Sequence, residues 1–328
     1  MNYLVKLKRV AVVTAMALAV GIPSAAIAQE QTRLRIVFVS QSGPGNPFYG
    51  PILKGFEQAG MDLNIETIFR GQQGNLLGSA AETLTAIENA IATNPDGLVI
   101  SNAYPEVLNA TIKSATDAGI PVVLTNAGFG EAETTGALAF VGCNETELGQ
   151  LAGELLLKVG ATNALVVTAP PGIPLIDDRV RGFSEAFAPS STSVVEVPIE
   201  ALGDATRLVN TTLAALEKDP TIDAVFSIGS CCGPAMVTVR EELGARADSM
   251  HFVTIDLGAP VLQALADKKI DFAIDQQQYL EGYIPVLMIA QYLRYGLKPV
   301  ETFYPTGPAV ISAENAQKVM DLAAQNIR

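Results

Sequence analysis

The sequence predicts an α/β protein built from two lobes, each with a parallel sheet. Short apolar, β-branched runs alternate with segments of helical spacing, and this alternation is typical of parallel sheets with helices on both faces. The chain has 328 residues, which is more than one hydrophobic core usually holds, so two domains are expected.

A first series of strands and helices occupies the first part of the chain. The predicted strands cover residues 34–39, 63–69, 97–100 and 122–124. Apolar residues at helical spacing predict a helix over 75–94 and another over 106–118. Ligands of such sheets bind beyond the carboxyl ends of the strands, so polar residues directly after a strand are the candidates for function.

A second series repeats the same order of elements, which indicates a second lobe of similar build. Its predicted strands cover residues 137–141, 165–167, 194–197, 224–228 and 251–255. The helix predicted over 204–218 begins with Asp204 as its N-cap.

The first 28 residues have the pattern of a secretory signal peptide. A basic stretch at 6–9 precedes an apolar run at 10–22. Ala26-Ile27-Ala28 has the small-x-small pattern of a cleavage site, so the mature chain would begin at Gln29. A membrane anchor is the alternative, but the run is shorter than the roughly 20 residues needed to span a bilayer. We therefore expect a periplasmic protein with residues 1–28 removed.

The chain is strongly acidic. Its formal net charge is −13, and removing residues 1–28 takes away three positive charges, leaving −16. Such a protein repels phosphate backbones and anionic lipid headgroups. We therefore expect neither nucleic acid nor a membrane surface as a partner.

The cysteines and the one histidine predict no metal site and no cofactor. Cys143, Cys231 and Cys232 lack the spacing of metal ligands, and His251 is the only histidine. A disulfide from Cys143 to one of the other two is one possibility, and three buried thiols are the alternative.

No catalytic site is expected either. The glycine-rich stretch 42–45 lacks the Lys-Ser/Thr ending of a phosphate-binding loop. Residues 229–233 place their serine one position too early for a nucleophile elbow. A hydrolase would also need a base, and His251 falls at the start of a strand, opposite the expected site.

Several short motifs occur in an order and spacing that resemble a known family. They are Asn46-Pro47-Phe48-Tyr49 after the first strand, residues 120–126, 141–144, 179–183 and 223–226, and then Asp256, Gln276 and Gly282. The set resembles the type I periplasmic sugar-binding proteins (ribose-binding-like) of ABC importers, over nearly the whole chain beyond residue 28.

The resemblance implies two Rossmann-like lobes joined by a three-strand hinge, so that each lobe is discontinuous. The first lobe would comprise residues 31–140 with 277–305, and the second 141–276 with 306–328. The hinge strands would cross near residues 140, 276 and 306.

The resemblance also implies the ligand-binding residues. In the first lobe, Asn46 would hydrogen-bond ligand hydroxyls, and Phe48 and Tyr49 would enclose a sugar ring, with core packing as their alternative role. Ser101, or its neighbour Asn102, and Asn126 are polar positions that end further strands of this lobe. The positions in the second lobe are Asp177, Arg179, Ser230, Asp256 and Gln276.

Three departures from the ribose-binding pattern change the expected ligand. Ala127 and Asp177 stand where ribose binders carry arginine, and Gly229-Ser230 replaces an Asn-Asp pair. Arginine presents rigid, forked donors, so its loss changes which hydroxyl pattern fits. We therefore expect another pentose, a hexose, a polyol or a similar small hydroxylated ligand.

The function implied is that of a non-enzymatic solute receptor. It would be a monomer that delivers its ligand to an inner-membrane ABC permease. A sensory receptor feeding a chemoreceptor or sensor kinase has the same sequence signature, and a binder of a non-sugar small molecule is a further alternative.

Overall fold

The structure is a computed structural model and describes residues 33–71 and 77–328. The signal peptide predicted for 1–28 and the first two residues of the helix predicted over 75–94 lie outside these residues. Within them, every helix is too short or too polar to cross a bilayer.

Twelve strands are present in the described part of the chain. They are β1 (Arg35–Ser40), β2 (Glu66–Gly71), β3 (Gly97–Ile100), β4 (Val122–Thr125), β5 (Phe140–Gly142), β6 (Asn163–Thr168), β7 (Ser191–Glu196), β8 (Ala224–Ser227), β9 (His251–Ile255), β10 (Phe272–Asp275), β11 (Phe303–Pro305) and β12 (Ala309–Ile311).

Eleven α-helices alternate with these strands in the same residues. They are α1 (Tyr49–Asp62), α2 (Ala80–Ala92), α3 (Pro105–Asp117), α4 (Ala132–Thr135), α5 (Glu145–Val159), α6 (Pro174–Ala186), α7 (Ala205–Lys218), α8 (Gly233–Leu243), α9 (Ala259–Ala266), α10 (Gln278–Tyr295) and α11 (Ala316–Ala323). Asp204 caps α7 as predicted, because its carboxylate accepts from the Arg207 N–H at 3.0 Å.

The strands form two six-stranded sheets, which confirms the predicted fold class. The first has the order β11-β5-β4-β3-β1-β2 and the second β12-β10-β9-β8-β6-β7. All pairings are parallel except that of β12 with β10. We call each sheet with its flanking helices the first lobe and the second lobe.

Two predicted strands differ from the structure. The strand predicted to open the second series is β5, and it lies in the first sheet beside β4. The Leu138 and Asn126 N–H groups bond across this pair to Val122 and Val141. The second predicted strand begins later, at Glu66, because Leu63 caps α1 and Asn64 adopts a left-handed φ of 52°.

The chain passes between the two sheets at three places. It leaves the first sheet after β5, returns to it after β10, and leaves it again between β11 and β12. Parallel strands place their carboxyl ends at one edge of each sheet, and the loops that follow these ends carry the polar residues described below.

Helices α5 and α6 pack unusually closely, which fixes the wall of the second lobe. A Cβ atom on Gly182 would lie 2.1 Å from the Thr146 carbonyl oxygen, and one on Gly149 would lie 2.0 Å from that of Arg179. Only glycine permits this approach, since a side chain at either position would overlap the backbone of the other helix. The contact brings the start of α6 directly against the start of α5.

Candidate functional site

A cleft lies where the carboxyl ends of strands from both sheets meet. It holds about 680 Å³ of space, open solvent included. The first lobe contributes Gln41, Ser42, Asn46, Phe48, Tyr49, Leu77 and Asn126, and the second contributes Ile173, Leu175, Ile176, Arg179, Leu202, Ile228, Gly229, Ser230, Cys231 and Asp256.

The loop between β1 and α1 places an asparagine and two aromatic rings on the first-lobe wall. The Asn46 side chain accepts from the Phe48 N–H at 3.1 Å and donates to Ser42 Oγ at 3.2 Å, which holds the loop. Phe48 and Tyr49 are buried in the first-lobe core and also line the cleft. Their rings meet at 72°, with centroids 5.6 Å apart. The two rings are therefore close to perpendicular and do not form a pair of parallel faces.

The loop after β4 orients Asn126 toward the cleft. Asn126 has a left-handed φ of 63°, and its amide oxygen accepts from Ser101 Oγ at 3.1 Å and from the Tyr49 hydroxyl at 3.3 Å. With that oxygen engaged, the Asn126 amide nitrogen is the group left to donate. Ser101 does not line the cleft; it is fully buried behind Asn126.

Asp256 is the central acceptor of the second-lobe wall. It follows β9 directly with a φ of 71°. Its Oδ1 accepts from Gln276 Nε2 at 2.7 Å and from Gln278 Nε2 at 2.9 Å, and its Oδ2 accepts from the Ser230 N–H at 2.9 Å. Gln276 therefore acts from behind Asp256, and it is not among the residues that line the cleft.

Arg179 is the cationic group of the same wall. Its guanidinium donates to both oxygens of Glu145, at 2.5 and 3.0 Å, and to the Ile228 carbonyl at 2.7 Å. Both charged side chains are almost fully buried. Its Nη2 also donates to Gln276 Oε1 at 3.4 Å. A guanidinium has five N–H donors in a fixed fork, so one N–H, on Nη1, is left for the cleft, which Arg179 lines.

Burial and neighbouring charges shift the ionisation of three groups in this site. Burial raises the pKa of Asp256 to about 6, although Arg179 and the donors from Gln276 and Ser230 counteract it. Burial also raises the pKa of the Tyr49 hydroxyl to about 12. Burial opposes the charge on Arg179, but the Glu145 carboxylate outweighs it and raises the pKa of Arg179. Near neutral pH, the cleft therefore holds a carboxylate, a guanidinium and a neutral phenol.

The remaining surface of the cleft is mainly apolar. Six aliphatic residues supply it: Leu77, Ile173, Leu175, Ile176, Leu202 and Ile228. Together with Phe48 and Tyr49 they line the same cleft as the polar groups of Asn126, Arg179 and Asp256. Such a cleft suits a ligand that has both hydroxyl groups and apolar C–H faces.

Asp177 is not brought to the cleft. It lies in the first turn of α6 and accepts from the Gly172 N–H at 2.9 Å. Residues two apart on a helix face in different directions, so the turn of α6 that directs Arg179 inward directs Asp177 away. Ala127, another departure from the ribose-binding pattern, is buried and likewise absent from the cleft lining.

Two important residues were not predicted from the sequence. Glu145 partners Arg179, and Gln278 supports Asp256 alongside Gln276. Gln278 could have been found from the sequence, because it lies only two residues after the predicted Gln276. A glutamate in the first turn of a helix gives no comparable signal, because that position normally faces water.

The histidine and the cysteines have separate environments. His251 Nδ1 lies 3.1 Å from Asp271 Oδ1 at the amino end of β9, opposite the end that carries Asp256. All three cysteines are free thiols. Cys143 contacts Thr306 in a buried position, whereas Cys231 lines the cleft. In residues 33–71 and 77–328, no cluster of three or more His, Cys, Asp or Glu side chains could hold a metal ion.

Comparison with known families gives one clear match. Residues 36–298 match the family model described as the periplasmic binding protein domain. The matched segment spans most of the chain and includes every cleft residue named above.

Individual relatives carry more specific names. The chain is 26% identical over 309 residues to the xylose/arabinose-binding protein XylF of Sulfolobus acidocaldarius, covering 88% of this chain and 73% of the relative. Among solved structures, it is similar to a carbohydrate transporter from Acidothermus cellulolyticus 11B in complex with myo-inositol. That match has a TM-score of 0.82 and 26% identity, over 90% of this chain and 100% of the other.

A second solved structure has the same architecture. The arabinose binding protein AraP of Geobacillus stearothermophilus matches with a TM-score of 0.67 and 25% identity, over 87% of this chain and 99% of the other.

Proposed function

The chain belongs to the periplasmic binding protein domain family, and from this premise we propose that it is a non-enzymatic receptor for a monosaccharide, a polyol or a similar small hydroxylated ligand. The ligand binds in the cleft between the two lobes. The observation that carries the proposal is the pairing, within one cleft, of the charged groups of Arg179 and Asp256 with an apolar and aromatic wall.

The chemistry of the two walls complements that of a sugar. A carboxylate accepts from ligand hydroxyls, whereas a guanidinium donates to hydroxyl or ring oxygens. The apolar C–H faces of the ligand would contact Phe48, Tyr49 and the aliphatic side chains. The relative from Sulfolobus is named as a xylose/arabinose-binding protein, and the structure from Acidothermus is a complex with myo-inositol. Both support a sugar or polyol as the ligand of this chain.

Residues from both lobes line the cleft, so a bound ligand would join the lobes. A ligand that contacts both sides binds the closed form better and shifts the equilibrium toward closure. We place the lobe boundaries at 31–140 with 277–305 and at 141–276 with 306–328. The three passages of the chain between the sheets, next to β5, β10 and β11, support hinges near residues 140, 276 and 306.

The closed receptor would be recognised by an inner-membrane ABC permease. We propose that the protein is exported by the signal at residues 1–28 and acts as a monomer in the periplasm. Without residues 1–28 the net charge falls from −13 to −16, which keeps such a receptor soluble and away from anionic lipid surfaces.

A thermal-shift screen tests the ligand class. The protein is unfolded and refolded to remove any bound ligand, and is then heated with aldopentoses, hexoses, myo-inositol and other polyols. Nucleosides and amino acids serve as controls. A ligand that binds only the folded state raises the melting temperature, so we expect a rise with at least one sugar or polyol. The Asp256→Ala variant should lose most of that rise.

Two outcomes would contradict the proposal. If every hydroxylated compound leaves the melting temperature unchanged, the sugar and polyol class is wrong. If an amino acid or nucleoside alone raises it, the protein is a receptor for a different class of ligand.

A further inference from the structure

Two consecutive cysteines lie in the wall of the cleft. Cys231 and Cys232 follow β8 and directly precede α8, and their Sγ atoms are 3.2 Å apart. Cys231 is half-buried and lines the cleft, whereas Cys232 is buried in the second-lobe core. The proposed function assigns no role to this pair.

The backbone holds the two thiols in a tight turn. The Cys232 and Gly233 N–H groups both donate to the Gly229 carbonyl, at 2.9 and 3.2 Å. A Cβ on Gly233 would lie 2.9 Å from Thr254 Oγ1 and from Val261 Cγ2, so the segment is packed against the core behind it. The thiols are therefore kept in contact by the turn itself.

We propose that Cys231 and Cys232 form a reversible vicinal disulfide, and that this ring is a redox-sensitive part of the cleft wall that raises ligand affinity when closed. The part that concerns affinity rests on the proposed function. Consecutive Cα atoms are only about 3.8 Å apart, which is shorter than in most disulfides. The bond is therefore strained and easily reduced, as a switch requires.

A small-molecule disulfide such as oxidised glutathione can serve as the two-electron oxidant. The Cys231 thiolate attacks one glutathione sulfur, breaks the S–S bond and releases one glutathione thiolate. Cys232 then loses its proton and attacks Cys231 Sγ, displacing the second glutathione. The two protein thiols are thereby oxidised to one disulfide, while oxidised glutathione is reduced to two glutathione thiols.

The order of attack follows from the environment of the two thiols. Cys231 is partly accessible from the cleft, and its hydrogen bond with Cys232 lowers its pKa. Cys232 is fully buried, and its pKa is raised by the same hydrogen bond and by burial. Cys231 is therefore the entry thiol and Cys232 the resolving thiol.

Ring closure would act directly on the ligand-binding groups. Ser230 precedes Cys231, and its N–H donates to Asp256 Oδ2. Closing the ring fixes the Cys231 side chain and restricts this loop, so less freedom is lost when a ligand binds. We expect the oxidised form to bind its sugar or polyol about three-fold or more tightly than the reduced form.

Counting alkylated thiols tests the disulfide without any sugar. The refolded protein is treated with oxidised glutathione or with a reductant, denatured, alkylated with iodoacetamide and weighed intact. The wild type should carry one alkyl group when oxidised and three when reduced. The Cys143→Ser variant should carry none when oxidised and two when reduced, whereas Cys231→Ser should carry two in either state.

The variants separate the rival pairings. If Cys143→Ser keeps two alkyl groups after oxidation, Cys231 and Cys232 form no disulfide and the proposal is wrong; one alkyl group on the oxidised wild type would then show a bridge to Cys143. The proposal would also be overturned if glutathione stays bound to one of the two cysteines while the other remains free to be alkylated.

Calorimetric titration of the sugar or polyol found in the screen tests the affinity part. The oxidised and reduced wild type should differ, and Cys231→Ser should give the same affinity in both conditions. Equal or weaker binding by the oxidised wild type overturns this part. If neither form binds any sugar or polyol, the proposed function fails and the affinity part with it, while the alkylation count still decides the disulfide.

Discussion

Glu145 and Arg179 form a buried ion pair that joins α5 to α6 beneath the cleft. Both carboxylate oxygens of Glu145 accept from Arg179, at 2.5 and 3.0 Å. Removing two charges from water is costly, and their mutual attraction and hydrogen bonds offset that cost only in good geometry. The pair therefore positions Arg179 in the cleft wall, and loss of either partner leaves an uncompensated charge.

The Glu145→Gln variant should be markedly less stable than the wild type. The change removes the only carboxylate that hydrogen-bonds the buried Arg179 guanidinium in the described residues, and we expect the free energy of unfolding to fall by about 3 kcal/mol or more. Glu147→Gln is the matched control, since Glu147 lies in the same helical turn but is exposed. It should change stability by at most about 0.5 kcal/mol. Urea unfolding at pH 7 measures both, and equal effects would show that the buried pair is not needed for stability.

The close packing of α5 against α6 should make Gly182 intolerant of a side chain. In a helix, alanine is ordinarily favoured over glycine by about 0.5–1 kcal/mol, so propensity alone predicts stabilisation. The added Cβ would lie 2.1 Å from the Thr146 carbonyl oxygen, and we expect overpacking to dominate, with Gly182→Ala losing about 1–3 kcal/mol.

Gly45→Ala is the comparison for this prediction. A Cβ at Gly45 meets nothing within 4 Å, so the melting temperature should stay close to that of the wild type. A Gly182→Ala variant as stable as Gly45→Ala would mean that the two helices separate at little cost.

The resemblance to the sugar-binding family pointed to Asp256 and Gln276, and their positions at strand ends agree with it. Asp256 and Gln276 each follow a short apolar run, and parallel strands bring such ends to one edge. The structure places the two side chains 2.7 Å apart. The strand pattern alone, however, could not show that Gln276 lies behind Asp256 rather than in the cleft.

The charged residues of α6 could not be divided, from the sequence alone, into those that face the cleft and those that do not. Asp177 and Arg179 are two residues apart, and only the packing of α6 against α5 decides which faces the cleft. Glu145 was missed for the same reason, because its burial results from tertiary contact and not from any local pattern. The apolar cleft residues, such as Ile173 and Leu202, lie in loops and helix starts that have no periodicity to mark them.

Asp256 should make stability depend on pH in an unusual direction. Its pKa rises from an ordinary 3.8 to about 6 in the folded protein. Between these values the folded state holds a proton that the unfolded state has lost, so stability falls as pH rises through this window. The stabilisation that comes from this bound proton is fully present below pH 3.8 and is lost above about pH 6.

Asp256→Asn provides the reference for this effect, since asparagine does not titrate. From pH 4 to 6.5, the free energy of unfolding of the wild type should fall relative to the variant by about 2 kcal/mol. Urea unfolding at several pH values measures the difference. Parallel curves for the two proteins would mean that Asp256 is charged throughout this range.

The same ionisation should control ligand affinity. A ligand hydroxyl that donates to Asp256 needs the carboxylate, whereas below pH 6 the protonated form predominates in the free protein. We expect the Kd for a sugar or polyol to increase about ten-fold from pH 7.5 to pH 5. Asp256→Asn should bind more weakly at pH 7.5 and show little change with pH. Tighter binding at pH 5 would show that protonated Asp256 donates a hydrogen bond to a ligand oxygen instead.

The Phe48 ring should contribute to affinity through its contact with the ligand. Phe48→Leu keeps an apolar side chain in the first-lobe core but removes the flat surface that faces the cleft. Aromatic contacts add about 0.5–1.5 kcal/mol beyond burial, so we expect Kd to increase about five-fold.

Phe303→Leu serves as the control for that change. Phe303 packs against Phe140 and Phe129, with ring centroids at 6.0 and 5.0 Å, and is not among the residues that line the cleft. The Phe303→Leu variant should therefore have a lower melting temperature but an unchanged Kd, as measured by calorimetry. If Phe48→Leu also loses stability but keeps the wild-type Kd, Phe48 serves the core alone and the aromatic contact with the ligand must come from Tyr49.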